Sequence, residues 1–250
     1  MTVGKARIAP LAPLLEPLLS DPSAHVRASA IYALTRLGEP VDRTPLASML
    51  LDDPSPWVRR HTAYILGELG DPSAMGLLRT AARRQYPDTP PEQTRNFQLQ
   101  LAEAMIKLGD DRQRQAIRAA LYPARPEELE SAALAAQIIG ETGDREAVHQ
   151  VASLGEYRDA GGNPHPAEVR LAIAAALGAM GHRRGTTVAD EFASSDSPAL
   201  RAQSAHVYGQ VGGTDRLGAL SRLLADDVPT VRVAAAAAIL RAATRNPTRD

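Results

Sequence analysis

The chain has no cysteine, only two lysines (Lys5 and Lys107), and one Trp and two Phe in 250 residues. The lack of cysteine excludes disulfides, thiolate metal sites, covalent haem attachment and cysteine nucleophiles. With aromatics at 4%, the core must be built from Ala, Leu, Ile and Val, which suits closely stacked helices. The formal net charge of −1 removes any global pull toward nucleic acid or an anionic membrane. Positive charge is almost all Arg, a bias that points to a GC-rich, bacterial-type genome. No apolar run approaches the roughly 18 residues of a membrane span. At the N-terminus, MTVGKARIAPLAPLLEPLLSD places one Lys and one Arg before an apolar stretch. Pro10, Pro13, Glu16 and Pro17 interrupt that stretch and no small-residue cleavage site follows. It therefore reads as a first helix, not an export signal, and a cytoplasmic location is expected.

What the chain does have is a beat. Gly38, Gly70, Gly109, Gly143, Gly181 and Gly212 each close an alanine-rich amphipathic run. An Arg stands eleven residues before the glycine at Arg27, Arg59, Arg170 and Arg201, and a seventh copy around Arg232 has Ala243 in place of the glycine. The marker positions 27, 59, 98, 132, 170, 201 and 232 are spaced by 32, 39, 34, 38, 31 and 31 residues. Self-similarity at this period is the signature of a solenoid. Repeat arrays mostly present surfaces, so architecture is legible here and activity is not.

The second copy, residues 44–71, shows the physics of one repeat. Leu46, Met49 and Leu50 share a face of a short helix. Asp52-Asp53-Pro54 breaks it: Pro suits the first turn of the next helix, and the Asp before it caps free amides. The second helix carries Val58, Thr62, Ala63, Ile65, Leu66 and Leu69 on its buried side, and Gly70 supplies the left-handed stop.

The segments LLEPLLSDPSAHVRASAIYALTRLG and SMLLDDPSPWVRRHTAYILGELGD resemble HEAT repeats, specifically the short phycobilisome-lyase-like kind, and the likeness runs from about residue 8 to 243. The D-P-x-x-x-V-R-x-x-A core is specific for the fold and nearly silent about function. The resemblance implies an all-α, right-handed superhelix of about seven HEAT-like hairpins, each with a first (outer) and second (inner) helix. The chain then reads as a single domain, 1–250, with repeats at 8–38, 43–70, 73–109, 111–143, 145–181, 184–212 and 215–243. It also implies a structural ladder of Asp–Arg hydrogen bonds stitching successive turns, through Asp21, Arg27, Asp53, Arg59, Arg170, Arg201 and Arg232.

Function is sought where the copies differ. Repeats 3 and 5 carry extra residues between their helices, at 83–95 and 155–168, and repeat 4 has an altered turn at 121–128. Each of these turns bears a tyrosine. Tyr86, Arg84, Tyr122, Arg125, Tyr157, Arg158 and His165 are the candidate partner contacts on this edge. Gln98 and Ala132 replace the marker Arg in the same region. A second candidate surface is the inner-helix stripe, with Tyr32, His61, Tyr64, Glu103 and Gln137 among its members. Charge is uneven too: 79–125 is net +4 and 126–160 net −6, which reads either as steering or as mutual surface pairing.

Signals for catalysis are sparse. Of the six histidines none precedes a Glu directly, although deoxyhypusine hydroxylase, an enzyme on a related scaffold, uses repeated His-Glu pairs. His165 and Glu168 could share a metal, but a solvent-exposed His165 is the expectation. No Gly-rich phosphate loop or G-x-S-x-G is present. We therefore expect no catalytic residue, cofactor or metal, and a non-catalytic scaffold or adaptor for a protein partner. The alternative is a phycobilin or tetrapyrrole lyase, or a lyase-like chaperone, on the same scaffold. Neither end looks capped, which suggests homo-oligomerisation, a stacked partner or excision from a longer chain.

Overall fold

The computed structural model describes residues 9–123, 125–159, 161–213 and 215–244. Residues 1–8 of the expected first helix lie outside that set. Among the described residues the α-helices are α1 (Ala12–Leu15), α2 (Ala24–Leu37), α3 (Pro45–Leu51), α4 (Pro56–Leu69), α5 (Met75–Arg83), α6 (Pro91–Lys107) and α7 (Arg114–Ala119). They continue as α8 (Leu129–Glu141), α9 (Val148–Glu156), α10 (Ala167–Ala179), α11 (Gly185–Phe192), α12 (Pro198–Val211), α13 (Leu217–Leu224) and α14 (Pro229–Thr244). There is no strand among them, only an isolated antiparallel bridge between Arg158 and Pro164. The first helix is broken: 3-10 turns at Ala9–Leu11 and Glu16–Ser20 flank the single turn of α1. Pro10, Pro13 and Pro17 remove the amide donors a continuous helix would need.

Packing divides the chain into two compact units, Met1–Ala116 and Ile117–Asp250, the division falling inside α7. In the first unit α2, α4 and α6 stack in order, with α3 against α4 and α5 against α6. In the second, α8, α10, α12 and α14 stack, and α9, α11 and α13 cover them. This is the all-α stack of helical hairpins that the period implies. Leu46, Met49 and Leu50 are buried as the helical spacing predicts, as are Val58, Thr62, Ala63, Ile65 and Leu66.

All six beat glycines have positive φ, from +63° at Gly143 to +97° at Gly109. That backbone is cheap only for glycine, so the beat marks helix stops for the reason expected.

A second glycine series, three residues earlier, sets the stack itself. A Cβ on Gly67 would lie 2.8 Å from the Ala104 Cα of the next second helix. One on Gly140 would meet the Ala176 Cα at 2.8 Å, and one on Gly209 the Ala238 Cα at 2.8 Å. Gly178 approaches Val211 in the same manner, at 2.8 Å to a methyl and 3.0 Å to the backbone N. The motif is therefore G-x-x-G: the first glycine admits the neighbouring backbone and the second ends the helix. Thr35, Ile106 and Leu240 occupy the corresponding place in repeats 1, 3 and 7.

The Asp-Pro turn works differently from the sequence expectation. The carboxylates of Asp21 and Asp53 accept from the main-chain N–H two residues ahead, Ser23 at 2.8 Å and Ser55 at 2.9 Å. Those serines are the N-cap residues of α2 and α4, so the Asp builds the turn and not the helix cap. Pro54 stands ahead of the cap, and Pro56 takes the first helical position.

The marker arginines also differ from the expected Asp–Arg ladder. Arg27 Nη1 donates to the carbonyl oxygens of Asp21 (2.7 Å) and Pro22 (3.0 Å). Arg59 does the same to Asp53 and Pro54, Arg201 to Ser195 and Asp196, and Arg232 to Asp226 and Asp227. The bond is main-chain and internal to one repeat, which explains why Ser195 serves in place of Asp. Only Arg201 among them also reaches a carboxylate of the next repeat, Asp226, at 2.7 and 2.9 Å. Arg170 makes no such turn contact and pairs with Glu191 at 2.8 Å instead.

Three further pairs use the Asp after the stop glycine. Arg43 meets Asp71, Arg79 meets Asp110, and Arg118 meets Asp144, at 2.6–3.1 Å. Together with Arg118–Glu146 and Arg125–Glu128, they draw the charge blocks of 79–160 largely into local pairing.

Helix propensity and packing make opposite demands on glycine, which gives a paired test. Gly76 in α5 has nothing within 4 Å of an added Cβ, so Gly76→Ala should stabilise by about 0.5–1 kcal/mol. Gly140→Ala has the same propensity gain but forces backbone on backbone, and should destabilise by about 1–3 kcal/mol. Urea midpoints of the two variants check the contrast.

Candidate functional site

The three tyrosine turns have two different fates. In the first unit, the turn 84–90 folds inward. Tyr86 is half-buried with its hydroxyl oxygen covered, and its ring meets Phe97 edge-on at 5.5 Å. The Arg59 guanidinium lies over the Tyr86 ring at 4.4 Å, and its Nη2 donates to Thr89 Oγ1 at 2.7 Å. Arg59 is only 4% exposed, and burial lowers its pKa. A buried guanidinium needs its donors matched; the longer turn supplies Thr89 and a ring face, while Arg59 Nε is buried without a hydrogen-bond partner. Tyr86 is thus a packing residue of the fold, not an exposed anchor. Arg84 remains at the surface, paired with Asp52 at 2.8 Å.

In the second unit, the turns 121–128 and 157–166 come together. Between them lies a cavity of about 560 Å³, within the range of small-ligand pockets, roughly 300–1,000 Å³. Its floor and one wall are Leu121, Pro123, Leu129 and a face of α9, where Gln150, Ser153, Leu154 and Tyr157 recur at helical spacing. Asp159, Asn163, Pro164, His165 and Pro166 complete it, and Tyr122 and Arg125 stand on the rim. Tyr122 is 65% exposed and Tyr157 53%.

The 157–166 turn is a preorganised hairpin. Asp159 Oδ1 accepts from the main-chain N–H groups of Gly161 and Asn163, each at 2.8 Å, and Asp159 N donates to Asn163 O at 2.9 Å. These bonds hold the Asp159 carboxyl below its usual range, the Asn163 amide first among them. Gly162 takes φ +80° at the tip. Arg158 lies outward, its Nη1 held by the Tyr157 carbonyl at 2.8 Å.

His165 sits between Pro164 and Pro166, and a residue before proline is confined to extended backbone. That turns the imidazole inward: it is 8% exposed and stacks on Tyr157 with centroids 4.9 Å apart and planes 18° from parallel. The expectation of a solvent-exposed His165 is therefore corrected. Burial, then the nearby Arg158, lowers its pKa. Its Nε2 is buried and has no hydrogen-bond partner, and the same is true of Gln150 Oε1. Among the described residues no group of three or more His, Asp or Glu is arranged to hold a metal.

The second candidate surface, the inner-helix stripe, is largely consumed within the first unit. Tyr32 and Glu103 are 1% and 2% exposed, which removes them as contact residues. Gln100 donates to Glu103; Lys107 pairs with Glu68 at 2.7 Å and with Glu103 at 2.5 Å. The Lys107 ammonium also lies 4.8 Å from the Tyr64 ring centroid. Burial alone would lower the Lys107 pKa, but Glu103 and Glu68 together raise it. His61 lies 3.0 Å from Ser29 Oγ and 4.8 Å from the His25 ring. Gln137, in the second unit, is exposed and bonded to Glu141 at 3.0 Å. Surface apolar residues also stand out at both ends: Leu14 (69%) in α1, and Val233 (69%) and Leu240 (67%) in α14.

Comparison with known proteins identifies HEAT repeats in two stretches. A HEAT-repeat model matches residues 11–40, and a model described as HEAT repeats matches residues 162–241. No curated protein matches the chain. Among solved structures, human deoxyhypusine hydroxylase in complex with glycerol is 19% identical, with 94% of this chain and 85% of that one covered, at a TM-score of 0.48. An engineered protein is 16% identical, with 93% and 96% covered, at a TM-score of 0.43. A designed armadillo repeat protein is 15% identical, with 92% and 99% covered, also at 0.43. Likeness of this order says nothing about activity or ligand.

Two outcomes test the first unit. Tyr86→Ala should cost about 2–4 kcal/mol of stability, because it strips packing from Phe97 and uncovers Arg59; thermal melts of the purified variant measure it. His61 is held down to about 4, by burial first and then by His25. Its folded pKa lies below the unfolded value, so its contribution to stability is complete above pH 6.5 and is lost as pH falls toward 4. Between pH 7 and pH 5 the wild type should lose about 1 kcal/mol more than His61→Gln, after allowing for solvent screening. Parallel urea titrations at the two pH values would show it.

Proposed function

We propose that the protein is a non-catalytic adaptor that binds a protein partner at the cavity rim of the second unit. The observation that carries the reading is the placement of Tyr122 and Tyr157: two largely exposed tyrosines flank an apolar-walled cavity, one on an altered turn and one on a lengthened turn. A stack of hairpins needs no such residues to fold. Tyr beside Arg is the composition of interface anchors, and Arg125 and Arg158 stand at the same edge. A hairpin braced by Asp159 loses little entropy on binding, which favours recognition. HEAT repeats at 11–40 and 162–241 fit this class of role.

The reading is tested with Tyr122→Ala/Tyr157→Ala. Tagged wild type should recover a defined partner, identified by mass spectrometry and then confirmed with the purified pair. The double variant should fold normally and bind that partner at least about tenfold more weakly. Tyr86→Phe, which keeps the packing, should bind as wild type. Equal binding by the double variant would remove this edge from the interface, and a co-eluting bilin chromophore would replace the adaptor reading with the tetrapyrrole one.

A further inference from the structure

Beyond the adaptor reading, and independent of it, we infer that the exposed apolar stripe of α14 pairs with the same stripe of a second copy of this chain. The two helices lie antiparallel about a two-fold axis between Ala236 and Ala237. Val233, Ala236, Ala237 and Leu240 are all exposed and fall at helical spacing on one face, Val233 at 69% and Leu240 at 67%. Apolar side chains scattered singly over a surface need no explanation, whereas an exposed stripe at this period does. The face is the one by which earlier second helices stack. In α10 the same places are Leu171, Ala174, Ala175 and Gly178, all buried, and Gly178 lies against Val211 of α12. Gly209 of α12 stands in the same way against Ala238 of α14. Among the described residues, the corresponding face of α14 is uncovered.

The make-up of the stripe selects its occupant. Leu240 stands where glycine stands in four copies. At Gly67, Gly140 and Gly209 an added Cβ would come within 2.8 Å of the next helix's Cα, so a leucine at that place holds off a further hairpin at this spacing. Ile106, the other large aliphatic there, lies on the final second helix of the first unit. What Leu240 accepts is a helix that crosses differently and offers a hole, and the stripe itself supplies one. Its order is large, small, small, large, and its steps of three, one and three residues read the same in both directions. Two such helices laid antiparallel about the midpoint bring Leu240 of one copy over Val233 of the other. The alanines then lie at the crossing, where the backbones come nearest. A two-fold interface requires this self-complementarity: if residue i meets j, then j meets i. An unrelated partner has no reason to match a palindromic stripe. No charge interrupts it, and Arg232 beside it is held by its own turn, Nη1 donating to the carbonyls of Asp226 and Asp227 at 2.8 and 2.9 Å. The patch is small, so the pair forms at micromolar concentration and above.

The chain's lack of cysteine makes a cross-linking test clean. In an antiparallel pair about that axis the two copies of residue 237 face each other within disulfide reach, about 4 Å between Cβ atoms. The two copies of residue 240 stand about 10 Å apart along the helix. Full-length Ala237→Cys should therefore give a covalent dimer under mild oxidation, and Leu240→Cys alone should not. Mixing Leu240→Cys with Val233→Cys should give the cross-linked mixed pair. Wild type, followed by sedimentation equilibrium from about 1 to about 300 μM, should rise toward twice the monomer mass. Val233→Glu/Leu240→Glu, at two exposed positions, should weaken association at least about tenfold and leave thermal melting unchanged. A wild type that stays monomeric across that range, or a double variant that pairs as well as wild type, would overturn the inference. So would mass that grows past the dimer, as head-to-tail stacking on Leu14 of α1 gives, or Leu240→Cys cross-linking to itself as fast as Ala237→Cys. None of these outcomes touches the edge that carries Tyr122 and Tyr157, so the adaptor reading is judged separately.

Discussion

Successive second helices touch backbone to backbone, and most of the structure follows from that contact. The approach at Gly67–Ala104, Gly140–Ala176 and Gly209–Ala238 leaves no room for a side chain on the glycine and little on the partner. At the level of these contacts only small side chains fit between the helices. The alanine-rich second helices and the scarcity of aromatics are therefore consequences of one spacing, not separate traits. The spacing also decides where large side chains go. Tyr32, Phe97 and Tyr208 are buried on second helices, whereas Tyr86, Tyr122 and Tyr157 stand on the turns between the two helices of a hairpin, where length is free to vary.

What a long turn then does depends on the arginine of the preceding repeat. Arg59 is buried, and its guanidinium must be matched by something outside its own turn. The turn of repeat 3 supplies Thr89 and the Tyr86 ring, and is drawn inward by that demand. The turn of repeat 5 follows Ala132, which makes no such demand. Tyr157 has no cation to cover, stacks on His165 instead, and stays half in solvent. The long turn that follows a repeat without the marker arginine is thus the one that borders the cavity.

The sequence is legible at the level of period, helix stop and buried face. The positive φ of six glycines and the burial of Leu46, Val58 and Ile65 could be read from spacing alone, because each depends on one residue's own backbone or on one helix face. Tyr32 and Glu103 left the stripe for a geometric reason. Spacing from the marker treats a second helix as having one buried side, but a helix inside a stack is covered by the helix before it and the helix after it. Tyr32 and Glu103 lie on the side that those neighbours close. The ladder failed because a guanidinium six residues from an Asp can reach its carbonyl as easily as its carboxylate, and only the carbonyl is present in every copy. A signal for the close approach was in view, the glycine three residues before four of the stops, but its meaning needs the small neighbour, usually Ala, at the same level.

The cavity was legible in part and for the same kind of reason. Tyr122, Tyr157 and His165 stand out because they break the repeat; Gln150 does not, since a glutamine on an outer helix is unremarkable until the hairpin folds over it. Its unmatched oxygen is a property of two turns meeting, and no single turn predicts it. The repeat explains every buried polar contact that recurs, the Arg-to-carbonyl bond above all, because a recurring contact is selected by the stack. Unmatched buried atoms stand at both kinds of tyrosine turn, Arg59 Nε and the Tyr86 hydroxyl at one, His165 Nε2 and Gln150 Oε1 at the other, and the stack requires neither pair.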